Sequence, residues 1–218
     1  MLAPARLPVI IRYLDKEYFR PRFAPRYPPP DELVFTILSQ NTTDINAGRA
    51  LETLTEKYPH WEDVAGAPVR SIASAIKSSG ISRPKSRYIK GSLSALLAEH
   101  GGVDMEFLKG MDDREALDFL TKLPGVGVKT AACVLMFSLG RPVMPVDTHV
   151  FRMCKRLDFL PEDASREEAH WILNAIVPPD DKYSFHINVV THGRKVCKAL
   201  RPRCGECVIE GLCPGAII

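Results

Sequence analysis

Apolar residues recur along this chain at intervals of three and four. Val34, Ile37 and Leu38 form one such set; Leu51, Leu54 and Tyr58 a second; Ile89, Leu93, Leu96 and Leu97 a third; Ile172, Leu173 and Ile176 a fourth. That spacing places each set on one face of an α-helix. No stretch alternates apolar and polar residues over the length of a strand, so the pattern predicts an all-α protein. Breaks fall at Pro28-Pro29-Pro30, Pro59, Gly101-Gly102, Pro124-Gly125, Arg141-Pro142 and Pro178-Pro179, leaving helices of ordinary length between them. There is no low-complexity segment or internal repeat, and the proline run reads as a bend between packed units.

Composition adds the setting. With 218 residues, 45% of them hydrophobic and 25% charged, the chain has ordinary globular proportions and suits one large or two small domains. No apolar run approaches a membrane span. The N-terminal stretch MLAPARLPVIIRYLDKEYF is interrupted by Arg12 and Asp15 and lacks the layout of an export signal. The expectation is a monomer away from membranes, cytoplasmic or, in a prokaryote, nucleoid-associated. A net charge of +3 is too small to mark a nucleic-acid binder by itself, so that case rests on where the basic residues sit.

Two motifs carry candidate chemistry. The first is Cys197-x6-Cys204-x2-Cys207-x5-Cys213. Structural all-cysteine zinc sites usually combine two CxxC-type pairs, and only Cys204 and Cys207 form one here. A [4Fe-4S] cluster tolerates uneven spacing because its ligands bind different irons, so it ranks first, with zinc second and disulfides last. Cys133 and Cys154 lie in apolar helical surroundings and read as small hydrophobes.

The second motif begins with Asp112-Asp113-Arg114-Glu115, which has the form of a helix-opening capping box, followed by an apolar stripe at Ala116, Leu117 and Leu120. Then come Gly125-Val126-Gly127 and a new helix from Val128-Lys129-Thr130-Ala131. Two glycines around one apolar residue allow a tight hairpin with bare amides, and the following helix N-terminus favours an anion. Alone, such a turn is equally compatible with a simple αα connection.

Taken together, LPGVGVKTA, PVDTHVFR from Pro145 to Arg152, HGRKVC and RPRCGECVIEGLC closely resemble endonuclease III-like DNA glycosylases of the helix-hairpin-helix base-excision repair superfamily, over nearly the whole chain. The resemblance implies two helical domains with a DNA-binding groove between them: a six-helix domain at about residues 31–141, and an iron–sulfur cluster domain formed by residues 1–30 and 142–218. It implies that Cys197, Cys204, Cys207 and Cys213 hold a structural [4Fe-4S] cluster. Lys129 stands at the position of the catalytic lysine and Asp147 at that of the second catalytic residue. An amine there serves as nucleophile in a bifunctional glycosylase/AP lyase, and a carboxylate stabilises positive charge on the sugar or relays a proton. Asp147 also reads as a helix N-cap.

The DNA partner implied is a duplex carrying a damaged base or abasic site, gripped through Gly125, Val126, Gly127 and Thr130. Base extrusion needs residues to fill the vacated stack. Gln40 and Asn41 in one loop and Ile81 in another are the candidates. The family commonly has glutamine where this chain has Asn41, which bears on lesion range. For Ile81 core packing is the competing reading. His149 is assigned to ordering its turn or touching DNA backbone. Lys198, Arg201 and Arg203 lie between the first two cluster cysteines and form a basic finger for phosphates, with Arg83, Lys85, Arg87, Arg194 and Lys195 as an extension of that surface. Excision of oxidised pyrimidines is the preferred activity. A thymine-mismatch or other damaged-base glycosylase, and a non-catalytic iron–sulfur redox sensor, are the alternatives.

Overall fold

The computed structural model describes residues 3–216. Eleven α-helices follow one another among them: α1 (Ala3–Tyr18), α2 (Pro29–Ser39), α3 (Asp44–Lys57), α4 (Trp61–Gly66), α5 (Val69–Ala75), α6 (Ser82–His100), α7 (Asp113–Thr121), α8 (Val128–Leu139), α9 (Thr148–Arg156), α10 (Arg166–Ile176) and α11 (Lys182–Lys195). No strand occurs among the described residues, in line with the all-α expectation. No described helix is long and apolar enough to cross a membrane. The chain divides into two compact units, residues 24–141 and residues 1–23 with 142–218.

In the 24–141 unit, α2 and α8 are buried almost all round. A helix with apolar residues on every side must be enclosed by others. Accordingly α3, α6 and α8 pack on α2, α7 packs on α8, and α4 and α5 pack on α6. Pro68 divides α4 from α5, so the unit contains seven α-helices when these two short pieces are counted apart. The proline run does not bend the chain between units. Pro29 and Pro30 are the first residues of α2, positions whose N–H groups would have no helical partner anyway.

A carboxylate paired with a partly exposed arginine sits in this core. Glu32 has no exposed surface; Arg26 donates two hydrogen bonds to its carboxylate and Thr36 a third. The Arg26 guanidinium lies 4.6 Å from the Phe35 ring centre and 4.7 Å from that of Phe137, and its backbone N–H donates to Phe137 O at 2.9 Å. The pair therefore ties α2 to α8 across an otherwise apolar contact.

In the other unit, α11 packs against α1 and α9. Their contact buries Ile10, Leu14, Met153, Cys154, Phe185 and Val189. Asn174 on α10 holds both the N–H and the C=O of Met144, at 2.7 and 2.9 Å, and His186 Nδ1 donates to Pro145 O at 2.9 Å. These bonds fix the extended stretch that delivers Asp147 to the start of α9.

Candidate functional site

The hairpin of the second motif forms as its sequence suggests. Asp112 accepts from the N–H groups of Arg114 and Glu115 while Glu115 reaches back to the Asp112 N–H, so α7 opens on a complete capping box. After α7, Gly125 takes φ +75°, and a Cβ there would lie 2.3 Å from Cγ of Tyr88. Glycine is thus demanded twice, by backbone angle and by close approach. α6 buttresses the turn: Tyr88 covers Gly125, and Ser92 Oγ donates to Pro124 O at 2.8 Å. From the loop after α2, Gln40 Nε2 donates to Gly125 O at 3.4 Å.

Gly127 is the N-cap of α8 and no atom lies within 4 Å of where its Cβ would be. The N–H groups of the first turn of α8 point out of a helix that has no side-chain cap, which suits an anion. Lys129 is half-buried in that turn, above Cys133, whose thiol burial pushes up while Lys129 opposes the shift. The Val126 and Thr130 side chains are buried, and the Val126 N–H already donates to Leu123 O. Both side chains serve the packing of the hairpin.

Each candidate stack-filling loop contains a side chain in the left-handed region. Asn41 has φ +53° and is exposed; Ile81 has φ +35° directly after Gly80 at φ +65°. For a β-branched residue this conformation is strained, a condition that concentrates at functional sites. Ile81 is 59% exposed, so core packing does not account for it. Lys85, in contrast, is withdrawn from the basic surface assigned to it: it is only 3% exposed.

In the other unit, Asp147 caps α9. Its Oδ1 accepts from the N–H groups of His149 and Val150, both at 2.8 Å. Using one oxygen for the cap leaves Oδ2 as the oxygen available to a ligand. His149 Nδ1 lies 3.0 Å from the Arg152 guanidinium, which also donates to Gly193 O and Cys197 O. Where α11 passes α9, a Cβ on Gly193 would lie 3.0 Å from that of His149, so His149 packs a helix crossing.

The four motif cysteines are partly exposed and unbridged, and Cys133 and Cys154 are buried thiols, as expected. Cys197, Cys204, Cys207 and Cys213 line one recess together with Met153, Leu157, Val196 and Ile209. Among the described residues, no three His, Cys, Asp or Glu side chains converge closely enough for one metal ion. Sulfurs arranged around a volume fit a cluster of several irons better than a single tetrahedral zinc. Burial above all, with the three neighbouring cysteines acting the same way, pushes the Cys207 thiol up to about 11; Cys213 is raised by burial and by Cys197 and Cys204. Bound cations reverse that balance and keep such thiolates ionised.

Arginines hold the loop's backbone. Arg156 Nη1 donates to Cys197 Sγ at 3.1 Å and to Lys198 O at 2.8 Å, and its Nη2 to Ala199 O at 3.1 Å. Arg6 donates to Leu212 O and Leu157 O. A Cβ on Gly215 would meet Arg156 O at 2.9 Å, so the chain leaving the loop presses against α9. His192 Nε2 lies 3.3 Å from Cys207 Sγ while Tyr18 Oη bonds its Nδ1 at 2.9 Å. Lys198 and Arg201 are exposed; Arg203 is engaged by Glu206 at 2.9 Å and by Lys195 O.

Residues 34–179 match the HhH-GPD superfamily of base excision DNA repair proteins, and residues 197–213 match the iron-sulfur binding domain of endonuclease III. The chain belongs to the HhH-GPD superfamily. Within it, the chain is 36% identical to endonuclease III of Escherichia coli K12 over 192 residues, 85% of this chain and 83% of that one. A putative DNA glycosylase of Arabidopsis thaliana is 40% identical over 77% of this chain; the match spans 57% of the plant protein's length. A solved endonuclease III–DNA non-covalent complex superposes with TM-score 0.82 at 31% identity, covering 99% of this chain and 97% of that one. A trapped covalent endonuclease III–DNA intermediate gives TM-score 0.83, also at 31% identity, covering 99% and 98%. This HhH-GPD protein is thus a DNA-binding base-excision repair enzyme of the endonuclease III type, a DNA glycosylase/AP lyase with an iron–sulfur cluster domain.

Several supporting residues escaped sequence reasoning. Arg152 and Arg156 stand one helical turn apart on α9, a spacing that signals a shared face, but what they grip is backbone carbonyl. Carbonyls leave no mark in a sequence. Tyr88 lies 37 residues before the glycine it covers, counting 125 − 88, and nothing local in either segment announces that pairing.

Proposed function

We propose that this enzyme excises oxidised pyrimidines from duplex DNA and cleaves the resulting abasic site by β-elimination, acting as a monomer on DNA inside the cell. The observation that carries the reading is Lys129 in the uncapped first turn of α8, immediately after the glycine hairpin. A phosphate held by the hairpin amides sets the sugar beside that amine. The neutral Lys129 Nζ attacks C1′; the glycosidic bond breaks and the base leaves with a proton. The attached amine gives up a proton and the C1′–O4′ bond breaks as O4′ takes one, giving an iminium whose acidified C2′–H is removed as the C3′–O bond breaks and the 3′ phosphate leaves; water finally returns the lysine. Asp147 stabilises the positive charge that develops on the sugar or relays the lysine proton. Asn41, Gln40 and Ile81 fill the stack left by the extruded nucleotide.

Cys197, Cys204, Cys207 and Cys213 would hold a [4Fe-4S] cluster. When bound, the cluster supplies a rigid cross-link rather than an open reactive site. Fixing the loop orders the basic finger with Lys198, Arg201 and Arg203 for phosphate contact.

Borohydride trapping tests the reading. Wild-type protein is expected to give a covalent band and strand cleavage on duplexes carrying thymine glycol or an abasic site, and Lys129→Ala neither. Trapping confined to the abasic duplex would reject the oxidised-pyrimidine assignment, and trapping by Lys129→Ala would reject the nucleophile. Asp147→Asn separates cap from chemistry, because asparagine caps a helix nearly as well. It should leave the melting temperature almost unchanged while lowering turnover roughly 10²- to 10⁴-fold.

A further inference from the structure

Lys85 is an unusual use of a cation. It lies at the first turn of α6, 3% exposed, and its Nζ donates to Leu38 O at 2.7 Å and to Ser79 O at 2.6 Å. Burial lowers its pKa from the ordinary lysine value, with no offsetting charge. Placing an ammonium among backbone carbonyls costs more than filling the same space with an apolar chain. Both carbonyls stand at helix C-termini, where the helix supplies no partner and the backbone dipoles favour a cation. Leu38 is in the last turn of α2, and Ser79 ends the short 3-10 helix Lys77–Ser79.

Both helix ends lead into the two candidate stack-filling loops. Three residues beyond Leu38 is Asn41 at φ +53°, and two beyond Ser79 is Ile81 at φ +35°. A loop holding a strained side chain needs surroundings that over-determine it. A second tie runs the same way: Ser78 Oγ donates to Asn46 O at 3.4 Å, linking the Ile81 loop to α3 just past the Asn41 turn. On its other side, the Gln40 side chain reaches Gly125 O.

We propose that Lys85 is a positioning residue that joins the Gln40–Asn41 turn and the Ile81 loop into one rigid wedge, so that both enter a DNA duplex together. The inference rests on the stack-filling role given to those loops above. A wedge of two independent loops would lose ordering entropy at each encounter; one cross-linked by a buried ammonium has lost it on folding. Lys85 touches neither substrate nor reacting atoms, so its effect appears only where a base stack must be opened.

The test compares the same abasic oligonucleotide in duplex and single-stranded form, since only the duplex has a stack to fill. Lys85→Met should lower kcat/KM for duplex cleavage about 10-fold or more and change single-strand cleavage by less than about 2-fold. Ile81→Ala alone should impair duplex cleavage; added to Lys85→Met it should cost much less than it does alone, because coupled residues are non-additive. Cluster absorbance and melting temperature confirm folding. Should Lys85→Met fail to fold, Lys85→Gln, which keeps N–H donors on a shorter arm, gives the same readout. Equal losses on both substrates, or independent losses from the Lys85 and Ile81 substitutions, would overturn the proposal while leaving the wedge reading intact. An Ile81→Ala protein as active as wild type on the duplex would overturn the wedge reading itself, and the Lys85 proposal with it.

Discussion

Within this enzyme, each of the two units is stabilised internally by different physics. Residues 24–141 enclose the apolar helices α2 and α8 and carry the Arg26–Glu32 ion pair, whose carboxylate is buried while its guanidinium is partly exposed. The C-terminal part of the other unit, residues 197–213, contains only two short 3-10 helices, and apart from Ile209 no side chain in it belongs to the buried apolar core. Its backbone is held by Arg6, Arg152 and Arg156, and its four cysteines surround a recess. A segment with so little apolar surface to bury cannot meet its own ordering entropy by hydrophobic burial. Where packing supplies the stability, a reactive group is free to sit at the rim, the place proposed for Lys129. Where packing is lacking, the chemistry itself must be structural.

The largest effect should come from removing the cluster ligands. Cys204→Ser, or iron chelation, is expected to open residues 197–213 to protease within minutes while the helical signal of residues 24–141 survives. Loss of both together would erase the contrast between the units. Next is the Arg26–Glu32 pair. Arg26→Ala leaves the Glu32 carboxylate buried and unpaired and should destabilise the 24–141 unit by about 3–5 kcal/mol in denaturant unfolding, whereas the cluster loop keeps its protection. Gly125→Ala forces an alanine into φ +75° and into the Tyr88 ring, and should cost about 2–4 kcal/mol, together with loss of duplex binding. Smallest is Asp112→Ala, which removes the cap of α7 and should cost about 1 kcal/mol in a thermal melt, with Lys129-dependent trapping retained.

A good part of this was legible in the chain. Helical spacing at Val34, Ile37 and Leu38 and at Ile89, Leu93 and Leu96 marks faces that are buried, and the Asp112–Glu115 capping box is a local device whose partners lie within three residues. The four cysteines declare themselves because no other residue type supplies such a donor set. The status of Ile81 was not legible: an isoleucine in a loop looks the same to a sequence reader whether its backbone turns it into a core or out into solvent. Nor was it legible that the Val126 N–H is taken by Leu123 O, since side-chain identity does not report which backbone amides are already bonded.

What the sequence determined by itself is therefore whatever depends on neighbours along the chain: helix periodicity, caps, the glycine hairpin, the ligand spacing and the identities of Lys129 and Asp147. The tertiary structure decided what depends on distant backbone. It turned Lys85 from a surface cation into a buried tie between Leu38 O and Ser79 O, and made Arg156 the clasp of the cluster loop. The reason is that every residue but proline carries the same N–H, and every residue the same C=O, so bonds to the main chain are specified by where the chain goes and not by which residues it is made of.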